Sequence, residues 1–203
     1  MPFTGFGCGF FDFDHDGDLD LALVNGRVMR GTVLPGASIG DFWNPYAEPN
    51  LMFQNDGHGH FTNLSPLGGA FTTQVEISRG LAFGDIDRDG DIDLVICQSN
   101  RPAVILRNEV GNRKSWIIFR LVGRGKNTDA VGTRIELSAS GLVQTGEVIS
   151  GASYLVSNDI RLHFGLGDAD MLDKVTIRWP DGSMQTLNNI PARQILTLDQ
   201  PEL

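Results

Sequence analysis

Aspartate is the residue most able to do chemistry in this sequence, and it is concentrated in two short windows. Ten of the nineteen aspartates lie within residues 12–20 and 85–93. Each window follows the pattern Asp-x-Asp-x-Asp-Gly-x-x-Asp, which puts carboxylates at positions 1, 3, 5 and 9, and position 7 can add a backbone carbonyl. Glycine at position 6 permits a sharp turn. About five or six hard oxygen ligands around one centre suit Ca²⁺ and disfavour zinc and copper.

The sequence therefore predicts two calcium sites. In each loop, four converging carboxylates form several like-charged pairs, each costing roughly 1 kcal/mol in water at ~4 Å and about 4 kcal/mol at an effective dielectric constant of 20. A divalent ion removes this repulsion and orders the loop, so we expect the ions to be structural. Acidic turns that are merely solvated are the alternative. The candidate ligands are Asp12, Asp14, Asp16, Asp18, Asp20, Asp85, Asp87, Asp89, Asp91 and Asp93.

The elements around the two windows repeat with an offset of 73 residues. Every aspartate and glycine of the first window has its counterpart in the second, and apolar runs at residues 21–24 and 94–97 follow the windows. These runs are typical of strands covered on both faces, as in the blade of a β-propeller. Residues 51–54 predict a further strand, followed by a turn at residues 55–60. The loops are not EF-hands, which require a bidentate glutamate at position 12 and flanking helices, because position 12 is Leu23 or Ile96.

A second domain is expected after a polar boundary near residues 108–115. We predict a propeller-like domain over residues 1–114 and a separate β domain over residues 115–203. Short alternating apolar runs in the second part, such as Val175, Ile177 and Trp179, predict six or seven strands of a small sandwich or barrel. Residues 179–182, with the sequence Trp-Pro-Asp-Gly, predict a hairpin turn. The fold class is therefore all-β, with about two blades followed by the small β domain.

Length and charge exclude several classes of protein. The chain has 203 residues and a formal net charge of −9. This charge disfavours a nucleic-acid binder and a protein that binds anionic membrane surfaces. Because no run of about 18 apolar residues exists, we expect no membrane span. Residues 1–9 lack the features of a secretory signal, and two cysteines cannot form a disulfide framework.

Other residues that could do chemistry have simpler interpretations. His58 and His60 lie in a glycine-rich turn, and His163 lies on a predicted strand, where we expect a structural role. Asp168, Asp170 and Asp173 could form another cation site, but a turn is the favoured interpretation. Buried, inert thiols are expected at the two cysteines, which are Cys8 and Cys97. The sequence shows no nucleophile elbow, zinc-binding helix or phosphate-binding loop, so we predict a protein without catalytic residues.

Several motifs resemble known repeat families. The stretches FDFDHDGDLDL (residues 11–21) and FGDIDRDGDIDL (residues 83–94) resemble FG-GAP/VCBS-type repeats, and NLMFQNDGHGHF (residues 50–61) is similar to the hairpin between their loops. Four stretches resemble the ASPIC/UnbV domain: RLVG (residues 120–123), NTD with VG (residues 127–132), LHFGLG (residues 162–167) and VTIRWPDG (residues 175–182). Nearly the whole chain is thus similar to the C-terminal part of cartilage-acidic-protein-like proteins.

The resemblance implies an extracellular or cell-surface, calcium-binding module for adhesion or interaction, with two Ca²⁺ ions and no catalysis. Its partner would be a protein or carbohydrate at a cell surface or in the matrix. An accessory, non-catalytic part of a carbohydrate-active or other secreted hydrolase is the second hypothesis. Because a propeller needs roughly four or more blades, we expect a C-terminal fragment whose other blades are missing, with oligomeric ring closure as the alternative.

Overall fold

A computed structural model of the chain describes residues 3–65, 67–151 and 153–202. Residues 1, 2, 66, 152 and 203 fall within the ranges expected for the two domains but lie outside the described residues. The described part is almost entirely β, which confirms the predicted fold class.

Residues 5–106 form two packed antiparallel sheets. The strands and the short α-helix described in this half are β1 (Gly5–Phe11), β2 (Asp20–Asn25), β3 (Glu48–Pro49), β4 (Leu51–Asn55), β5 (Phe61–Asn63), α1 (Gly69–Thr73), β6 (Val75–Glu76), β7 (Ser78–Gly84), β8 (Asp93–Gln98) and β9 (Val104–Leu106). One sheet has the order β1-β2-β4-β5 and the other β7-β8-β9, while β3 and β6 form a two-stranded ladder. The two larger sheets share one apolar core, as two neighbouring blades of a partial propeller would.

Both acidic windows are hairpin loops, as predicted. The first joins β1 to β2, where Phe11 pairs with Asp20, and the second joins β7 to β8, where Gly84 pairs with Asp93. The repeated sequence is nevertheless buried differently in the two sheets. Phe83 is 8% exposed because it faces the first sheet, whereas its counterpart Phe10, on the outer face of that first sheet, is 60% exposed. The burial of a repeated residue therefore depends on which side of its sheet has a neighbour.

The second half is a sandwich of two sheets. Its strands are β10 (Ser115–Val122), β11 (Arg134–Ala139), β12 (Leu142–Glu147), β13 (Leu162–Gly167), β14 (Met171–Arg178), β15 (Met184–Pro191) and β16 (Gln194–Asp199). The sheets have the orders β13-β10-β16 and β12-β11-β14-β15. Phe119 and Phe164 from the first sheet and Ile135 and Ile177 from the second share one core. The predicted turn at residues 179–182 is present, closed by the Gly182 amide donating to the Trp179 carbonyl at 2.9 Å.

The connection after the first hairpin is much longer than its equivalent in the second. Residues 26–47 separate β2 from β3 and contain a 3-10 turn at Asn44–Tyr46, whereas only residues 99–103 separate β8 from β9. The longer connection is fixed partly by Arg27, whose Nε lies 3.0 Å from the buried Glu48 carboxylate. The two repeats therefore share their hairpins but not the segments that follow them.

Candidate metal centres in the two acidic loops

The first loop brings three of its five aspartates together. Carboxylate oxygens of Asp12, Asp14 and Asp20 all lie within 4.8 Å of one another, a spacing that can hold one ion. Asp16 and Asp18 lie outside this group. Asp16 Oδ1 instead accepts a hydrogen bond from the Asp18 backbone N–H at 3.0 Å, which shapes the turn.

The second loop gathers a related but shifted set. Carboxylate oxygens of Asp85, Asp87 and Asp89 lie within 4.8 Å of one another, whereas Asp91 and Asp93 lie outside the group. Asp91 is fully buried, with a carboxylate oxygen 3.6 Å from His15 Nε2 of the first loop. Six of the ten predicted ligands are thus grouped for metal binding, and the roles of all ten as calcium ligands stay a prediction.

The carboxylate of the last aspartate in each loop accepts hydrogen bonds from two separate backbone segments, a role that the sequence did not indicate. Asp20 Oδ2 accepts from the Phe13 N–H at 3.2 Å, and its Oδ1 accepts from the Asn55 N–H at 2.8 Å. Asp93 does the same in the second loop: its Oδ2 accepts from the Ile86 N–H at 3.0 Å and its Oδ1 from the Asn108 N–H at 2.9 Å. Each of these carboxylates therefore ties its loop to the end of the third strand of its sheet.

Burial makes the first loop unfavourable for negative charge. It raises the pKa of Asp12 to about 8 and that of Asp20 to about 7, with neighbouring aspartates adding to the rise. Burial also raises the pKa of Asp14 and, in the second loop, that of Asp85. A group whose environment disfavours its charged form gains most from a bound cation.

The available oxygen atoms fit a hard divalent cation. Asp14 Oδ1 and Asp85 Oδ2 are buried side-chain atoms without a hydrogen-bond partner among the described residues. Unsatisfied buried carboxylate oxygens are rare in proteins because they cost free energy, and a bound ion is one way in which proteins satisfy them. Since the grouped ligands are all carboxylates, calcium fits them better than a metal that prefers nitrogen or sulfur.

The two loops differ in the side chain that approaches them from the end of the third strand of the sheet or from the residue that follows it. In the first repeat, Gln54 Nε2 donates to Asp14 Oδ2 at 2.9 Å. The equivalent residue of the second repeat is Arg107, whose Nε lies 2.8 Å from Asp87 Oδ2 and whose guanidinium also contacts Asp89. The second loop therefore carries a positive charge of its own beside two of its grouped carboxylates.

The glycine at position 6 has a second function besides the turn. Gly17 and Gly90 both have the positive φ expected of a sharp turn, +94° and +99°. Each also lies against a side chain of the sandwich: a Cβ at Gly17 would lie 2.5 Å from Leu142 Cδ2, and one at Gly90 would lie 1.9 Å from Trp116 Cε2. The acidic loops are therefore covered by the second half of the chain, a contact that no sequence pattern indicated.

The remaining candidate residues have structural roles, with one correction. The ring of His60 contacts Asp56 within its turn, and Asp168 follows β13 and pairs with Lys114 at 2.7 Å. The expectation of buried thiols is wrong, because both cysteines are exposed on strands. Cys8 lies on the outer face of the first sheet and Cys97 on the outer face of the second, where the alternation of a strand turns them away from the shared core.

The comparisons with known proteins agree with the two-part architecture. The family profile described as FG-GAP-like repeat matches residues 12–96, and the profile described as ASPIC and UnbV matches residues 123–203. No helix in the described part of the chain is long and apolar enough to cross a membrane.

Two curated relatives share the name cartilage acidic protein 1. The protein from Xenopus tropicalis is 27% identical over 184 residues, which cover 86% of this chain and 25% of that protein. The human protein is 31% identical over 109 residues, covering 51% of this chain and 16% of that protein. The chain therefore spans a quarter or less of the length of these relatives. Each of the two profiles matches about two fifths of the chain, and together they agree with the resemblance to FG-GAP-like repeats and to ASPIC and UnbV domains that the sequence motifs indicated.

Proposed function

We propose that this chain is a non-catalytic, calcium-stabilised interaction module that works outside the cell or at its surface. The observation that carries the proposal is the pair of hairpin loops, each of which gathers three carboxylates within 4.8 Å. Calcium would be held by Asp12, Asp14 and Asp20 in the first loop and by Asp85, Asp87 and Asp89 in the second. The remaining aspartates of the loops, Asp16, Asp18, Asp91 and Asp93, would shape the turns or add ligands when the ion is bound.

The bound ion would compensate charge and fix the hairpins. Each loop joins two strands of a sheet, so an ordered loop holds the register of its hairpin. Extracellular modules of this general kind bind calcium with dissociation constants of about 10⁻⁴–10⁻³ M. Such sites are filled in the calcium-rich medium outside cells and empty in a resting cytosol, which supports an extracellular location.

The relatives support an adhesive or matrix role. Both are named for cartilage, a tissue made largely of extracellular matrix. We propose that the partner is a protein or carbohydrate of the matrix or cell surface, that the boundary between the two domains lies near residues 114–115, and that further blades complete the propeller in the longer protein.

Calcium titration with thermal melting tests the proposal. We expect calorimetry of the protein purified in chelator to show two bound ions and a melting temperature that rises with calcium. Asp14→Asn and Asp87→Asn should each remove one ion and lower the melting temperature only when calcium is present. Asp41→Asn, at an exposed aspartate outside both loops, is the matched control. An equal loss of stability with and without calcium would contradict a structural ion.

A further inference from the structure

The first loop is buried by the sandwich rather than by its own sheet alone. Gly165 of β13 lies against Asp12, so closely that a Cβ at residue 165 would be 2.0 Å from Asp12 Oδ2. Asp12 is only 2% exposed. Placing β13 on the loop removes the Asp12 carboxyl from water and leaves it the backbone N–H groups of Asp16 and Gly17 as donors, so its ionised form is unfavourable there. A divalent cation in the loop would remove that penalty.

One strand of the sandwich contacts both loops at once. The backbone carbonyl of His15, in the first loop, accepts a hydrogen bond from the Gly167 N–H at 2.8 Å. The side chain of His163 reaches between the loops, with its Nε2 3.1 Å from His15 Nε2 and 2.9 Å from the Gly90 carbonyl of the second loop. Strand β13 therefore contacts both loops, and a shift of either loop would break a polar contact with it.

The segment before β13 is attached to the second repeat. The Asp159 N–H donates to the Phe83 carbonyl at 2.9 Å, at the end of β7. Arg161, which also pairs with Asp159, donates to the Asp85 carbonyl at 2.9 Å. The sandwich therefore holds the backbone of a candidate metal ligand in place.

We propose that the two calcium loops together form the surface on which the ASPIC and UnbV domain docks, so that calcium binding and docking strengthen each other. This inference rests on the proposed calcium sites. Coupling of two binding events is reciprocal: if calcium favours docking, docking must raise calcium affinity by the same factor. The C-terminal domain is then the first partner of the calcium loops, within the same chain.

Hydrogen exchange of the full chain tests the docking. The amides of Gly167 and Asp159 donate across the contact, so we expect their exchange to slow when calcium is added to protein kept in chelator. The amides of Trp179 and Gly182, which close the hairpin turn at residues 179–182, should exchange at the same rate in both conditions. If calcium binds and the Gly167 and Asp159 amides do not respond, the inference is wrong while the calcium sites stand.

A matched pair of variants tests the reciprocal effect. Leu142→Ala trims an apolar side chain that packs on Gly17, and we expect the dissociation constant for calcium at the first loop to rise about fivefold or more, the lower end of typical couplings. Met184→Ala, at an exposed residue of the same domain, should change it by less than about twofold. Equal dissociation constants for calcium in the two variants would overturn the proposed coupling. A protein that binds no calcium at all would overturn both proposals.

Discussion

Calcium binding at neutral pH should release protons from the first loop, and the number follows from the burial of two carboxyl groups. In the empty loop, the pKa of Asp12 is about 8 and that of Asp20 about 7. At pH 7 the first group is about nine-tenths protonated and the second about half protonated, whereas both are ionised as ligands of a metal. Together they release about 1.4 protons for each ion bound at this loop.

The proton count can be measured by calorimetry in several buffers. The apparent enthalpy of calcium binding is plotted against the ionisation enthalpy of the buffer, and the slope is the number of protons exchanged. We expect a slope of about 1.4 at pH 7 for the first loop and of about 0.1 at pH 9, where Asp12 and Asp20 are already ionised in the empty protein.

One variant distinguishes the protons released by Asp12 from those released by Asp20. Asp12→Asn removes the group with the higher pKa, so the slope at pH 7 should fall to about 0.5, the share of Asp20. A slope near zero at pH 7 for the unaltered protein would refute the reasoning, because it would mean that burial does not hold these carboxyls in the protonated form before the ion arrives.

Three further predictions follow from the loops. In chelator, the raised pKa of Asp12 means that the folded protein binds this proton more tightly than the unfolded chain does. The resulting contribution to the free energy of unfolding is complete below about pH 4 and is lost as the pH rises to about 8. We therefore expect the melting temperature to fall across this pH range, and to fall less in Asp12→Asn. Arg107→Gln removes the cation beside the second loop, and calorimetry should show calcium affinity there rising about two- to fivefold, while Arg124→Gln, at an exposed arginine outside both loops, leaves it unchanged. Gly182→Ala should lower the free energy of unfolding by about 1–2 kcal/mol, because alanine is strained at the positive φ of this residue. Gly90→Ala should lower the free energy of unfolding, measured by chemical denaturation, by about 1–3 kcal/mol more than Gly182→Ala, because Trp116 occupies the space that the new methyl group needs. Equal losses in the two variants would mean that Trp116 does not pack tightly on Gly90.

The local structure could be predicted from the sequence because the signals were local. Carboxylates at every second position with glycine at position 6 indicated the hairpin loops, and alternating apolar residues such as Val175 and Ile177 indicated the strands of the sandwich. These patterns report the conformation of a short segment, and that conformation is decided within the segment itself.

What could not be predicted depends on contacts between segments far apart in the sequence. The packing of Trp116 on Gly90, and of His163 between the loops, joins residues that no periodicity links. The exposure of Cys8 and Cys97 was predicted wrongly for the same reason, since a strand's alternation does not tell which of its faces meets another sheet. The hydrogen bonds from backbone amides to Asp20 and Asp93 could not be predicted, because an aspartate that accepts such bonds cannot be told in a sequence from one that binds a metal.

The parallel pairing of β10 with β16 has a consequence for the order in which the molecule forms. In β10, each residue from Ile117 to Val122 pairs with one 77 positions later, from Gln194 to Asp199. Because β10 lies between β13 and β16 in its sheet, that sheet stays incomplete during synthesis until residues 194–199 have left the ribosome. Pairings at such long separation are slow to form. The repeats can therefore fold before the sandwich is complete, and the sandwich then forms on hairpins that are already present.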